Sequence, residues 1–434
     1  MNVSLPAKGK LSLRAATTSK ELIMWTRSLL PIPWIGLVAI TMSCGDNRES
    51  PSENDSDIGM DTEDAISRAR TFGDPLPCAS PDERTRFAAG KEEFAAIEGV
   101  SDGLGPVFND TSCGNCHSSP ALGGGSNTVE TRFGTVANGK FDPLARLGGS
   151  LIQTTGIGTA GDCNFKGEQV PPEATVSAGR RTTPLFGLGL VDALAESTLI
   201  ELRDFEAKYF PRQAGALNHV RDIKNNRTAV GRFGWKNQVP NLHQFSGDAY
   251  VNEMGITSPE FPVDNCPQGD CDSLARCNPA PGIDDDGEDV QKFFDFMTFL
   301  APPPTLSLDA SAKHGRTLFN DVGCSSCHVA SLTTARNASR ALSRVTFHPY
   351  SDFLLHDMGA AGDGITQDEA SGVLMRTAPL WGLRKVTLFL HDGSATSVEQ
   401  AIAKHLGQGS DARDAFARLG ARDRQDVLTF LNTL

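Results

Sequence analysis

Cys113-Gly114-Asn115-Cys116-His117 and Cys324-Ser325-Ser326-Cys327-His328 are two copies of one pentapeptide, Cys-x-x-Cys-His. That spacing attaches a c-type haem: both thiols become thioethers on the vinyl groups, and the adjacent imidazole becomes an axial iron ligand. Zinc and a disulfide are the plainer readings of paired cysteines. Zinc, however, wants a second thiol or histidine pair close by, and neither copy has one at a fitting distance. Each copy is preceded by the same residues, Phe108-Asn109-Asp110 and Phe319-Asn320-Asp321, so the repeat extends beyond the pentapeptide.

Outward from these motifs the duplication continues in order. Arg181-Thr182-Thr183-Pro184-Leu185-Phe186-Gly187-Leu188 follows the first, and Arg376-Thr377-Ala378-Pro379-Leu380-Trp381-Gly382-Leu383 follows the second. Each half then closes with an amphipathic helix pattern, Asp289 to Leu300 and Asp426 to Leu431. Pro302-Pro303-Pro304 cannot extend a helix and makes a stiff linker. The expected fold is mostly α: two cytochrome c-like haem domains with long loop insertions, over residues 80–300 and 301–434. With 434 residues there is ample chain for both cores. An apolar content of 39% beside 43 Gly and 25 Pro suits loops wrapped around porphyrin, itself a large apolar filling. A net charge of -13 argues against nucleic acid as a partner.

The N-terminus reads as a bacterial export signal. Met24-Trp25-Thr26-Arg27 is a short basic head, an apolar stretch runs from Leu29 to Met42, and Ser43-Cys44 follows. Met24 is the expected true start, residues 1–44 the signal, and Cys44 the acylated residue of a lipoprotein. The apolar stretch is shorter than the roughly 20 residues of a membrane span. Residues 45–79, acidic and rich in Ser and Asp, read as a solvated tether. Localisation is therefore expected to be the periplasm, or the cell envelope through lipid at Cys44. Of the ten cysteines, Cys78, Cys163, Cys266, Cys271 and Cys277 then remain, and an oxidising compartment would pair some of them.

Beyond His328, the C-terminal iron needs a sixth ligand. Thr396 and Glu399 form a capping box that starts a helix, and Gly407 ends it. Within it Val398, Ala401, Ile402 and His405 share one apolar face, which carries the imidazole inward. His405 without a metal would be an ordinary core histidine. His356 and Met358 are the rival ligands, and His348 and His391 lie in loop-like surroundings.

The two motifs, joined with Leu390-His391-Asp392-Gly393-Ser394-Ala395-Thr396, resemble the bacterial di-haem cytochrome c peroxidase superfamily. Gly231-Arg232-Phe233-Gly234-Trp235-Lys236 and Glu253-Met254-Gly255-Ile256-Thr257 look more specifically like its di-haem oxidoreductase branch, sometimes labelled thiol oxidoreductases. The resemblance covers roughly residues 80–434. It implies that the position of the electron-transfer haem's distal methionine is His405 here, with imidazole in place of thioether. Bis-imidazole ligation lowers a haem potential relative to His/Met. The loop after the first motif, where the family keeps a removable distal histidine, has none up to Ala160. The N-terminal iron is accordingly expected to keep an open position for peroxide, with Met254 or His219 as the residues that could fill it.

By the same resemblance Trp235 relays electrons between haems, Gln244 helps orient peroxide, and Glu253 is the acid/base, with His243 able to substitute for it or tune it. The family also binds calcium between its domains; Val386 and Leu388 replace the threonine and proline of that site, leaving only backbone oxygens. The expected function is an exported di-haem peroxidase that takes electrons from a small redox protein and reduces hydrogen peroxide. The alternatives are a non-catalytic two-haem electron carrier and a haem-dependent oxidase or oxygenase.

Overall fold

The structure, a computed structural model, describes residues 71–434. The expected signal, Met24, Cys44 and most of the tether lie outside the described residues. Within them run eleven α-helices and thirteen short strands. Helices carry the framework, but the strands make "mostly α" only partly correct. The long segments between helices expected as loops fold instead into small antiparallel sheets, because extended chain flanking a core finds its backbone partners in hairpins.

Helix α1 (Pro81–Phe94) starts at Ser80, whose side chain accepts from the Glu83 N–H while Glu83 returns a bond to the Ser80 N–H. It packs on α4 (Glu288–Phe299), with Phe87 and Phe94 centred 5.4 and 4.9 Å from Phe296. The crossing is close enough that a Cβ on Gly90 would collide with the Lys292 carbonyl. The second half repeats the device. Helix α5 (Ala310–Asp321) crosses α8 (Ala421–Leu431), and a Cβ on Gly315 would collide with the Asp426 carbonyl. Between these pairs lie α2 (Glu196–Tyr209), α3 (Leu242–Ala249), α6 (Val398–Ala403) and α7 (Ser410–Ala417).

Each helix pair supports one Cys-x-x-Cys-His segment. In the second half Phe319 of α5 lies 6.3 Å from the His328 ring and 5.5 Å from Phe430 of α8. In the first half the same position, beside His117 and the closing helix, is taken by Phe94 at 5.9 and 4.9 Å. The matching triplets are therefore not spatial equivalents. Phe319 is helical, whereas Phe108 sits in the strand Val107–Phe108 after an insertion between α1 and the first motif. The later repeat does hold in space. Gly187 and Gly382 both take left-handed φ, at 73° and 74°, and each starts a short helical turn.

The insertion of the first half contributes a three-stranded antiparallel sheet in the order β2-β1-β3, from β1 (Val129–Ala137), β2 (Lys140–Asp142) and β3 (Val176–Arg181). Its register places Glu130 opposite Arg180. The hairpin β4 (His219–Asp222) and β5 (Arg227–Val230) and the pair β6 (Leu355–Asp357) and β7 (Leu374–Arg376) brace the middle of the chain. One apolar core joins Phe94, Phe186, Phe233 and Phe296 to Phe347, Phe353 and Trp381 from beyond the three prolines. A second, around Phe319, Phe416, Val427 and Phe430, belongs to the C-terminal helices. No helix among the described residues is long and apolar enough to cross a membrane.

Two disulfides, Cys163–Cys277 and Cys266–Cys271, pair four of the cysteines left over from the motifs. The free cysteines among the described residues are Cys113, Cys116, Cys324 and Cys327, the four of the motifs. The close crossings carry a test: Gly315→Ala should lower unfolding stability by about 1–3 kcal/mol through overpacking, read as a reduced denaturation midpoint, whereas Gly420→Ala, at φ -60° with only the Asp423 carboxylate in ordinary contact, should cost less.

Candidate haem sites

The C-terminal motif opens into a cavity of about 950 Å3. Its walls include Cys324, Cys327, His328, Met358, Trp235 and His405. Most of the lining is apolar, with Phe319, Leu380, Trp381, Val398 and Ile402 among it. A large flat apolar group with a few polar attachment points fits such a space.

Three histidines share one arrangement. His117 Nδ1 lies 3.0 Å from the Gly124 carbonyl, His328 Nδ1 2.8 Å from that of Tyr350, and His405 Nδ1 2.8 Å from that of Ala401. A carbonyl only accepts, so Nδ1 carries the hydrogen and Nε2 keeps its lone pair for a metal. Burial pushes His117 and His328 down to about 4, and His405 downward as well. All three are therefore held neutral, the form an iron ligand requires. Burial also pushes the thiols up, Cys113 and Cys324 to about 12 and Cys116 to about 11. That environment opposes thiolate and hence a thiolate metal site, while a thioether carries no such penalty.

His405 reaches its place differently from the expected helical face. The helix is capped by Ser397 through the Gln400 N–H, not by Thr396, and ends at Ala403 rather than running to Gly407. His405 follows the last turn, and its ring is turned by the Ala401 carbonyl, whose oxygen also accepts the Lys404 N–H at 3.2 Å. Gly407, at φ 54°, lets the chain pass against the Asp357 carbonyl, where a Cβ would not fit.

The rival ligands separate cleanly. His356 is buried with both nitrogens engaged, Nε2 at 3.0 Å from Asp352 and Nδ1 at 3.6 Å from Cys327 Sγ. Although burial opposes its charge, Asp352 outweighs this and holds its pKa well above 6.5. A protonated imidazole is no ligand. Met358 does line the cavity. His348 is not among the lining residues, whereas His391 is and meets Trp235 edge-on at 6.2 Å. Of the residues that could fill the N-terminal position, His219 is instead bound to Glu369 at 2.7 Å on an exposed hairpin. Met254 is packed into the main apolar core, with Cys113 at that core's edge.

Around the first motif, Glu253 sits in a π-helical turn, Tyr250–Met254, that continues α3. Its carbonyl accepts the Asn109 N–H at 2.7 Å, and Gly255, at φ 70°, admits the Gly105 and Val107 carbonyls where a Cβ would crowd them. The turn is thus pinned against the segment leading into Cys113. The Glu253 carboxylate accepts from Asn109 Nδ2 at 2.7 Å and faces Glu130. Enclosure by protein, then the Glu130 charge, raise its pKa to about 8. Such shifts mark groups set up for proton transfer.

Gln244 does not join it. Its amide accepts from the Ile223 N–H at 3.0 Å and donates to the Arg221 carbonyl at 3.0 Å, tying α3 to the β4–β5 hairpin. Expected as a peroxide-orienting group, it is spent on backbone; the polar neighbours of Glu253 are Asn109, Glu130 and Arg132. His243 likewise turns away, to Glu260 at 3.2 Å. Alternation along β1 hinted at Glu130 and Arg132 on one face, but nothing in the sequence tied that strand to residue 253.

Trp235 lies between the two sites. It lines the C-terminal cavity, and its Nε1–H donates to the Arg181 carbonyl at 3.0 Å. Two residues on, the backbone of Thr183 faces the His117 ring. The next residue, Lys236, is fully buried against Asp363 at 2.8 Å, which also holds Arg180 at 2.7 Å. The tryptophan is therefore fixed by both halves.

Residues 166–434 match the family described as "Di-haem oxidoreductase, putative peroxidase". The chain belongs to that family. Family membership implies two haem cofactors and an oxidoreductase, and the histidines and free cysteines of the two motifs suit them. Among solved structures, the di-haem peroxidase BthA of Burkholderia thailandensis is 15% identical, with 82% of this chain and 86% of that one covered at a TM-score of 0.38. A MauG-like protein associated with microbial copper homeostasis is 13% identical over 84% and 93%, at 0.37. Hydrazine synthase of Kuenenia stuttgartiensis is 14% identical over 91% and 98%, at 0.33. Likenesses at these scores say nothing about activity. No curated protein matches the chain.

The buried pair His356–Asp352 carries a prediction. A raised folded pKa stabilises below the ordinary value of 6.5, and the contribution is lost as pH rises through the folded value. Asp352→Asn should cost on the order of 3 kcal/mol at mildly acidic pH. The gap to the parent should narrow in alkali, as measured by chemical denaturation across pH.

Proposed function

We propose that this protein is an exported di-haem c-type peroxidase in which peroxide is reduced at the Cys113/Cys116/His117 site with electrons received at the Cys324/Cys327/His328/His405 site. The observation that carries the reading is the histidine arrangement: two motif imidazoles, and a third facing one of them, all neutral and each with Nδ1 given to a main-chain carbonyl. The free state of the four motif cysteines, beside disulfides elsewhere, supports covalent attachment and an oxidising compartment. The division at residues 300/301 into peroxidatic and electron-transfer domains, the lipid anchor at Cys44 and a small redox protein as donor belong to the same proposal.

Haem held by Cys113, Cys116 and His117 and by Cys324, Cys327, His328 and His405 would supply one-electron redox chemistry and a place for peroxide. Hydrogen peroxide, two protons and two electrons give two waters. The chain's own part would be to hold a C-terminal haem between His328 and His405, and to manage protons at the other site. Glu253 would accept a proton from peroxide and return it to the leaving oxygen. Asn109 holds that carboxylate in place, and Trp235 joins the C-terminal cavity to the Arg181–Thr183 segment beside His117.

Holoprotein from a host that matures c-type cytochromes should show two equivalents in the pyridine haemochrome assay; none or one equivalent overturns the reading. Glu253→Gln should lower peroxide turnover by about 10²–10⁴-fold, checked by steady-state assay with a chemical electron donor. His405→Gly should convert one low-spin haem to high-spin in the optical and EPR spectra; an unchanged spectrum moves the ligand to Met358. Two haems that stay low-spin in every redox state would instead mark a carrier.

A further inference from the structure

We infer that Glu130, clamped by Arg132, is a positioning residue that acts through Glu253 by sharing a single proton with it. The inference deepens the peroxidase reading and rests on it. The two carboxyl groups face each other within hydrogen-bonding reach, Glu130 held by Arg132 and Glu253 by Asn109. Ionised carboxylates only accept, so one member must carry a hydrogen.

The surroundings decide which. Arg132 grips Glu130 with both forks of its guanidinium, Nε at 2.9 Å from one oxygen and a terminal nitrogen at 3.4 Å from the other. Such a bidentate pair favours the charged carboxylate. Burial would raise the Glu130 pKa, but Arg132 prevails and holds it below the usual range. Glu253 has a neutral partner instead. The Asn109 oxygen accepts from the Thr154 N–H at 3.0 Å and hydroxyl at 3.2 Å, so its amide group must present N–H to Glu253. The proton therefore rests on Glu253.

The other charged groups facing the pair are few. Arg180 stands opposite Glu130 across the β1–β3 ladder and is largely committed to Asp363. Asp248, one helical turn before Glu253, faces Arg132, and burial raises its pKa to about 6. Glu130 and Arg132 project from the same face of β1, because residues two apart in a strand share a side. The pair is thus built by the sheet on one side and the π-helical turn on the other, with one proton between them. A fixed negative charge at Glu130 sets the pH at which Glu253 becomes available as a base, since a nearby like charge disfavours ionisation.

The test is Glu130→Gln, which keeps shape and hydrogen bonding and removes the charge, with Glu130→Asp as the charge-retaining control. Infrared titration of the ferric holoprotein should show a carboxylic-acid carbonyl band that is absent in Glu253→Gln. In Glu130→Gln that band should disappear at lower pH than in the parent, by about one unit or more, and the alkaline rise in peroxide turnover should move with it. Glu130→Asp should titrate close to the parent. If the band titrates alike in the parent and Glu130→Gln, or no band belongs to Glu253, the inference fails while the peroxidase reading stands. Unchanged peroxide turnover in Glu253→Gln would defeat the peroxidase reading instead, whatever the infrared result.

Discussion

A buried imidazole that gives its Nδ1 hydrogen to a main-chain carbonyl has a single lone pair left, and its direction is set by the backbone. His117, His328 and His405 all obey this constraint, through Gly124, Tyr350 and Ala401. The rest of the architecture serves to keep those carbonyls still. Helices α1 and α4 wall in the first ring with Phe94 and Phe296, and α5 and α8 wall in the second with Phe319 and Phe430. Both pairs cross on a glycine, at Gly90 and Gly315, because only a missing Cβ lets the backbones close to that range.

Between the two sites the chain concentrates its buried charge. Arg180, Asp363 and Lys236 are nearly removed from solvent, and they lock β3 to the loop after β6 directly beside Trp235. A buried ion cluster is weak evidence for stability, since desolvation offsets most of the attraction. Its evident effect is geometric. It holds the Arg181 carbonyl under the Trp235 N–H and brings Thr183 against His117, so that elements from both halves converge on one short path.

Much of the site was legible from residue order. The motif histidines and cysteines needed only the spacing of the pentapeptide, because residues so close in sequence stay neighbours in any fold. His405 was legible too, but for a reason that proved partly incorrect: the helix stops short of it, and a carbonyl at the helix end, not the helical face, aims the ring. Glu253 was placed by resemblance, and its neighbourhood to the first motif is upheld by the π-helical turn and Gly255. Gln244 was misjudged because a side-chain amide is equally good for a ligand and for a neighbouring hairpin, and spacing does not distinguish the two.

What residue order by itself determined is the pair of Cys-x-x-Cys-His segments, the duplicated halves and the closing helices, all set by short-range spacing and periodicity. The tertiary structure alone decided that Phe94 rather than Phe108 matches Phe319, that Gln244 is taken up by the β4–β5 hairpin, and that Glu130 and Glu253 meet across 123 positions. Each of those outcomes depends on which backbone group or charge arrives from a distant segment, and a burial environment assembled from several elements is not written in any one of them.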